Sequence, residues 1–554
     1  MKSFLMNAAP GVQHKVGRSK ASRSGLTLVE VLITTVLSIL LLMSLAEAFK
    51  RIGDSIAENR AALEMSNRLR SVSSLLRRDL EMATAKPNPP MAADSPTGYF
   101  KIFEGPMCDY SAKIYLESVN PDNRAGRFGD FDDILMFTAS ASKDWFTGKV
   151  PRYIADRRAV SDYPSAAAAL VPTIITSKYA EIIWYTTPVS VDLSNPLNFD
   201  ANSDGIFDKL QLHRRVLLIR PDLNGSNGNL PLGSVAIPQA YQSCDLSMRR
   251  TSTGAVAANS IEDLMYLENR FAHIQVAVAS HVSMPILDLG DAFAFAQGTA
   301  SSNFGNVTAR SGLLNSTYWL QGDRLGEDVV MSDCLAFDMK VFDPAVPLYA
   351  FGTNGGAFRS TDMVFSPNDP GYASAISASP AGAGDFVDLG WYRNVASYTR
   401  FAGINGGTPP ATGFVGFSGF RNNTTNGFSL SLLKSGMVLP GRWSQVVYDT
   451  WTTGYELDAR LQGDLLDNAT LPTQGTVWLQ SSTTARPSVD MGTNGIDDPG
   501  VGGAPDGLID DSLEQETSAP FPFPLRSVKA SIRLEDPDTR QLQQISVINE
   551  FMTK

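Results

Sequence analysis

Residues 26–49 set the terms for everything else in this chain. From Leu26 to Ala46 the residues are apolar or small, through Val31-Leu32-Ile33-Thr34-Thr35-Val36-Leu37-Ser38-Ile39-Leu40-Leu41-Leu42-Met43, and Glu30 is the one charge among them. A helix rises about 1.5 Å per residue, so this stretch is long enough to cross a hydrocarbon core of roughly 30 Å. An ionisable side chain in such a span costs about 2.5–3.5 kcal/mol and is usually kept for a purpose. Glu30 therefore needs a partner. If the chain were cut after Gly25, the new α-amino group of Leu26 would be a cation in the same layer, on its own helix or on a neighbouring one.

Gly25 followed by Leu26-Thr27-Leu28-Val29-Glu30 resembles the prepilin peptidase and N-methylation motif of type IV pilins and type II secretion pseudopilins. The resemblance implies cleavage after Gly25, methylation of the amine of Leu26, and pairing of Glu30 with a neighbour's amine during filament assembly. It departs from the usual pattern at Leu26, where the family most often has Phe. Two other readings fit the same residues. A secretory signal peptide would be cut after Ala46-Glu47-Ala48, before Phe49, and a plain N-terminal anchor would remain uncut from Met1.

Residues 1–25 carry Lys2, Lys15, Arg18, Lys20 and Arg23 with no acidic residue, the pattern of a basic leader held in the cytoplasm. The expected topology is a single inner-membrane pass over 26–48, with the rest of the chain periplasmic or otherwise extracytoplasmic. Beyond the span Ile52, Ile56, Leu63, Leu69, Val72, Leu76 and Leu80 recur at helical spacings or multiples of them, with charged residues on the other faces. This predicts an amphipathic continuation over 49–86, ended by Pro87-Asn88-Pro89-Pro90. The whole helix would be roughly 90 Å long, half facing lipid and half packed on a soluble domain.

The soluble part reads mainly as strands. Ile134-Leu135-Met136-Phe137 is a short buried strand preceded by acidic turn residues. Ile182–Tyr185 and Leu210–Ile219 form an antiparallel pair across a long polar loop. Leu335, Phe337, Met339 and Val341 alternate with Ala336, Asp338 and Lys340 as a half-buried strand. Val528, Ala530, Ile532 and Leu534 turn at Asp536-Pro537-Asp538 into a returning strand with Ile545, Val547 and Phe551. The expected fold class is α+β: a long transmembrane-to-amphipathic helix packed on antiparallel sheets with β-rich insertions. The order of elements resembles the larger minor pseudopilins, above all the J-type subunit of type II secretion. That likeness implies a pseudopilin-like β domain in 91–345 and 485–554, with 346–484 a Gly/Thr/Asn-rich insertion or module. The K-type tip subunit typically lacks the glutamate at this place, so Glu30 argues against that role.

With 554 residues the chain has room for two to four structural units, and its net charge of −11 argues against nucleic acid as a partner for the folded part. Three widely spaced cysteines, Cys108, Cys244 and Cys334, show no zinc spacing and allow at most one internal disulfide. Asp200, Asn202, Asp204 and Asp208 put oxygen side chains around Gly205 in a loop suited to Ca2+, although Gln211 stands where a bidentate glutamate would be. The alternative there is a solvated Asx-rich loop. A second acidic tract runs from Asp490 to Glu516, to be read as disordered or as another calcium-binding stretch.

Catalytic signatures are missing: there is no GxSxG, HExxH or GxxxxGK[ST], and only four histidines. Gly416-Phe417-Ser418-Gly419 falls one residue short of a nucleophile elbow. The expectation is a minor pilin or pseudopilin and not an enzyme. Its partners would be other pilins or pseudopilins, the prepilin peptidase/methyltransferase and the inner membrane. The alternative is a membrane-anchored surface protein whose Gly/Thr/Asn-rich modules bind a polymer.

Overall fold

The computed structural model describes residues 27–87, 97–105, 129–189, 210–232, 235–251, 254–278, 281–289, 313–351, 363–369, 380–389, 446–450, 524–537 and 539–551. The chain divides into two units, residues 1–61 and 62–554. Helix α1 runs from Leu28 to Glu81. Its apolar part is long enough to span a membrane, and Leu28 to Phe49 are exposed throughout.

In the second unit, α1 buries Met65, Leu69, Val72, Leu76 and Leu80, at successive spacings of four, three, four and four. Each such side chain contributes about 1.5–3 kcal/mol relative to exposure. The stripe differs in three places from the sequence reading, since Ile52 and Ile56 are exposed as well as Leu63. Leu63 is 68% exposed, and Met65, two residues on, takes the buried face. The helix also stops at Glu81, short of residue 86. Residues 82–84 are taken by the sheet instead: Ser140 donates its N–H to Met82 O at 2.9 Å, and Thr84 donates to Thr138 O at 2.8 Å. Strand-type pairing ends the helix before the prolines can.

The strands in chain order are β1 (Phe100–Glu104), β2 (Ile134–Ser140), β3 (Phe146–Pro151), β4 (Pro172–Ser177), β5 (Tyr179–Pro188), β6 (Leu210–Leu218), β7 (Met248–Arg250) and β8 (Val256–Ala258), followed by β9 (His273–Val278), β10 (His281–Leu287), β11 (Val329–Phe351), β12 (Met363–Phe365), β13 (Pro380–Val387), β14 (Val446–Asp449), β15 (Ser527–Glu535) and β16 (Leu542–Glu550). The main sheet is antiparallel, in the order β14-β1-β2-β5-β6-β11-β15-β16, with β12 and β13 also on β11. Hairpins β3–β4, β7–β8 and β9–β10 stand apart from it. The expected pairs are present: Ile182 opposes Val216 across β5–β6, and Ile532 opposes Ile545 in the closing hairpin. The described strands of 346–484, β12, β13 and β14, hydrogen-bond into this same sheet.

Both faces of the sheet are covered. Trp184 and Arg214, side by side in the register, face α1, while Ile183 and Arg215 face the opposite way. That second face is covered by the chain between β6 and β11, where Arg215 Nη2 donates to Tyr241 O at 2.5 Å and Glu181 accepts from Ser247 Oγ and Phe271 N. This double cover corrects the half-buried reading of 335–341. Asp338 and Lys340 are 2% and 3% exposed, as enclosed as Phe337 and Met339. Alternation in β11 separates two interiors, an apolar one and a polar one.

Candidate functional site

At the start of α1, Thr27 Oγ1 accepts the backbone N–H of Glu30 at 3.3 Å. Thr27-Leu28-Val29-Glu30 has the Thr-x-x-Glu order of a capping box, and a carboxylate in the first turn suits the helix dipole. Thr34 Oγ1 in turn donates to Glu30 O and Val31 O, each at 2.9 Å. Glu30 is exposed, with no partner for its carboxylate among the described residues. It therefore helps begin the helix and also presents its charge outward. Gly25 and Leu26 lie outside the described residues.

Near the other end of α1, Asp79 is fully buried and collects three donors. Arg214 reaches it through Nε at 2.6 Å and Nη2 at 2.7 Å, and Trp184 through Nε1 at 3.0 Å. A two-point guanidinium–carboxylate contact fixes orientation as well as distance. It sets the rotation and the height of the helix against β5 and β6. The consecutive arginines of β6 thus serve opposite faces: Arg214 holds the helix, and Arg215 lies 3.3 Å from Asp245 in the opposite layer.

Two polar groups occupy that opposite layer. In the first, Thr187 Oγ1 lies 2.7 Å from His213 Nε2, and His213 Nδ1 lies 3.0 Å from Asp328 Oδ1. With the proton on Nδ1, Nε2 accepts from the threonine and both contacts are satisfied. Asp328 also accepts from Tyr185 O–H at 2.9 Å. Burial raises its carboxyl, but His213, Arg215 and Tyr185 more than offset this and hold it below the usual range. All four side chains are buried, and the group ties β5 and β6 to the chain just before β11.

In the second group, Arg270 pairs with Asp449 at 2.5 Å and lies over the Tyr99 ring, while Lys101 Nζ sits 2.6 Å from His273 Nε2. Burial pushes Lys101 down to about 7; Asp449 pulls it up and Arg270 pushes it further down. In the unfolded chain this lysine titrates near 10.4. Between about pH 7 and 10 the unfolded state therefore binds a proton that the folded state lacks, and stability rises with pH across that window. Lys101→Met is expected to remove this slope, a change on the order of a few kcal/mol over the window. Melting curves of both proteins from pH 6 to 10 check it, and parallel pH profiles would refute it.

A third cluster was not apparent in the sequence. Glu104 at the end of β1, Asp130, Asp132 and Asp133 ahead of β2, Asp338 in β11 and Asp388 after β13 are all buried, six carboxylates in one region. They meet where the sheet has a seam. β6 leaves β11 at Cys334, and the 129–133 segment continues beside it, taking the Phe337 N–H on Asp130 O at 2.9 Å. Asp133 stands in for a strand there, accepting from Met339 N at 2.6 Å and Gly105 N at 3.2 Å. Lys340 Nζ contacts Asp338 at 2.8 Å and Asp388 at 2.6 Å, and it is the one cation beside the cluster among the described residues. Burial first, and then neighbouring carboxylates, push Glu104, Asp130 and Asp133 well above the ordinary carboxylate range. The signal available in the sequence was Asp130-Phe131-Asp132-Asp133, which reads as a solvated turn unless the covering layers are known.

Asp200, Asn202, Asp204, Asp208, the 490–516 tract, Cys108 and Gly416–Gly419 lie outside the described residues. Cys244 and Cys334 are buried free thiols, each pushed by burial to about 12, and so inert as nucleophiles near neutral pH. Comparison with known protein families, curated proteins and solved structures finds no match to this chain.

Proposed function

We propose that this chain is a minor pilin or pseudopilin, a structural subunit of a type II secretion or type IV pilus-like filament. The observation that carries the proposal is the co-occurrence of Gly25-Leu26-Thr27-Leu28-Val29-Glu30 with a helix that begins at Leu28, exposes an apolar run long enough to span a membrane, and later buries an apolar stripe in a β-rich unit. The same residues fit a division of labour. The 26–48 stretch anchors the precursor in the inner membrane and then joins the filament core. Glu30 sets register against the amine of a neighbour's Leu26. The β-rich unit faces partner subunits or cargo. A unit this large favours an occasional over a repeating position along a filament.

Co-expression with a prepilin peptidase followed by N-terminal sequencing tests the processing step. The mature chain is expected to begin at Leu26, with a methylated amine. A start at Phe49 would make the stretch a signal peptide, and an uncut Met1 would make it a plain anchor; either result removes the filament role. Affinity purification in detergent separates the filament subunit from the surface-binding alternative, because an assembly subunit brings other pilin-like chains with it.

A further inference from the structure

We propose that a divalent cation of the calcium class binds in the β-domain seam among Glu104, Asp130 and Asp388, with Asp130 shared with an adjoining group of Asp133 and Asp338. Carboxylate oxygens of Glu104, Asp130 and Asp388 lie within 4.8 Å of one another, and so do those of Asp130, Asp133 and Asp338. An oxygen shell at about 2.3–2.6 Å from calcium is roughly 5 Å across, which these groups match.

An independent observation comes from Glu104. Its Oε2 accepts the Leu389 N–H at 3.0 Å, which fixes the carboxylate, while Oε1 is enclosed and makes no hydrogen bond. A buried carboxylate oxygen with no donor is costly to desolvate, and a cation is what it lacks. The backbone is shaped to let the carboxylates converge: a Cβ at Gly105 would run into the Asp132 carboxylate. The ligand set is all oxygen, with no His or Cys among the grouped residues, which selects a hard cation over zinc or copper. Calcium suits it better than magnesium, because magnesium demands near-ideal octahedral geometry and gives up its waters reluctantly. The competing arrangement is a set of carboxyl groups neutralised by Lys340, which already contacts Asp338 and Asp388, and by protons. This site uses none of the residues of the 200–208 loop and does not depend on the filament role.

The test uses the full-length protein in detergent, stripped with EGTA and titrated with calcium chloride at pH 7.5 by calorimetry and thermal melting. Saturable binding and a melting temperature raised by calcium are expected, with a smaller response to magnesium chloride. Asp130→Asn keeps the side-chain shape and removes one charge. In chelator it should melt above the parent, because repulsion is relieved, and it should lose the calcium shift. Asp144→Asn, at an exposed carboxylate outside both acidic loops, should keep that shift. If Asp130→Asn does not fold, Glu104→Gln serves in calorimetry and is expected to lose the binding. The proposal is overturned if the parent neither binds calcium nor melts higher with it. It is equally overturned if the response survives in Asp130→Asn, or in Glu104→Gln where that stands in.

Discussion

Asp79→Ala is expected to destabilise the β-rich unit by about 3–5 kcal/mol, the range for breaking one partner out of a buried ion pair. The magnitude follows from what is left behind. Removing the carboxylate strands the Arg214 guanidinium, whose side chain is 18% exposed, and the buried indole N–H of Trp184, since both donate to Asp79. Asp79→Asn should cost less, because an amide oxygen can still accept from Trp184. Replacing both partners with apolar residues, Asp79→Leu together with Arg214→Met, should recover much of the loss, as buried pairs often contribute little net stability over a packed hydrophobic contact. Denaturant unfolding followed by tryptophan fluorescence checks the series. If Asp79→Ala unfolded at the same denaturant concentration as the parent, the helix would owe its seat to the apolar stripe alone.

Glu30→Ala is expected to leave membrane insertion and cleavage after Gly25 intact and to abolish incorporation into filaments. The variant also touches the helix start, since Glu30 occupies the third position after the Thr27 cap. Thr27→Ala is therefore the necessary control. It removes the side-chain cap, worth about 0.5–2 kcal/mol at such positions, and leaves the charge. Filament incorporation measured by crosslinking should be lost in Glu30→Ala and retained in Thr27→Ala. Equal loss in both would assign Glu30 to helix initiation, and normal incorporation of Glu30→Ala would remove its register role.

Much of the α+β architecture could be read from local pattern. The apolar run, the helical spacing of Leu69, Val72, Leu76 and Leu80, and the alternation at Val528–Leu534 are short-range signals, and each corresponds to an element in the structure. What escaped depended on cover from distant segments. Asp338 and Lys340 alternate with apolar residues as solvent-facing positions would, yet Asp133 and Asp388 arrive from elsewhere in the chain and enclose them. Arg214 and Arg215 are adjacent in β6 with nothing local to show their partners, and each meets an acid from a different layer. Asp79 sits among charged helix positions and carries no local sign that it faces inward. The helix ends earlier than the prolines predict for the same reason: proline is visible in the sequence, whereas pairing of residues 82–84 with β2 is not.

The 23-residue strand β11 bonds to β6, β12, β13 and β15, and β14 closes on β1 across more than three hundred residues. Pairings between such remote segments are slow to form, since loop closure must precede the contacts that reward it. A chain made from its N-terminus therefore spends its synthesis with β1 and β11 as unsatisfied edges, waiting for residues 446–449 and 527–535. Open strand edges invite pairing with the wrong chain. The yield of native protein therefore falls with any delay in the arrival of those two late segments.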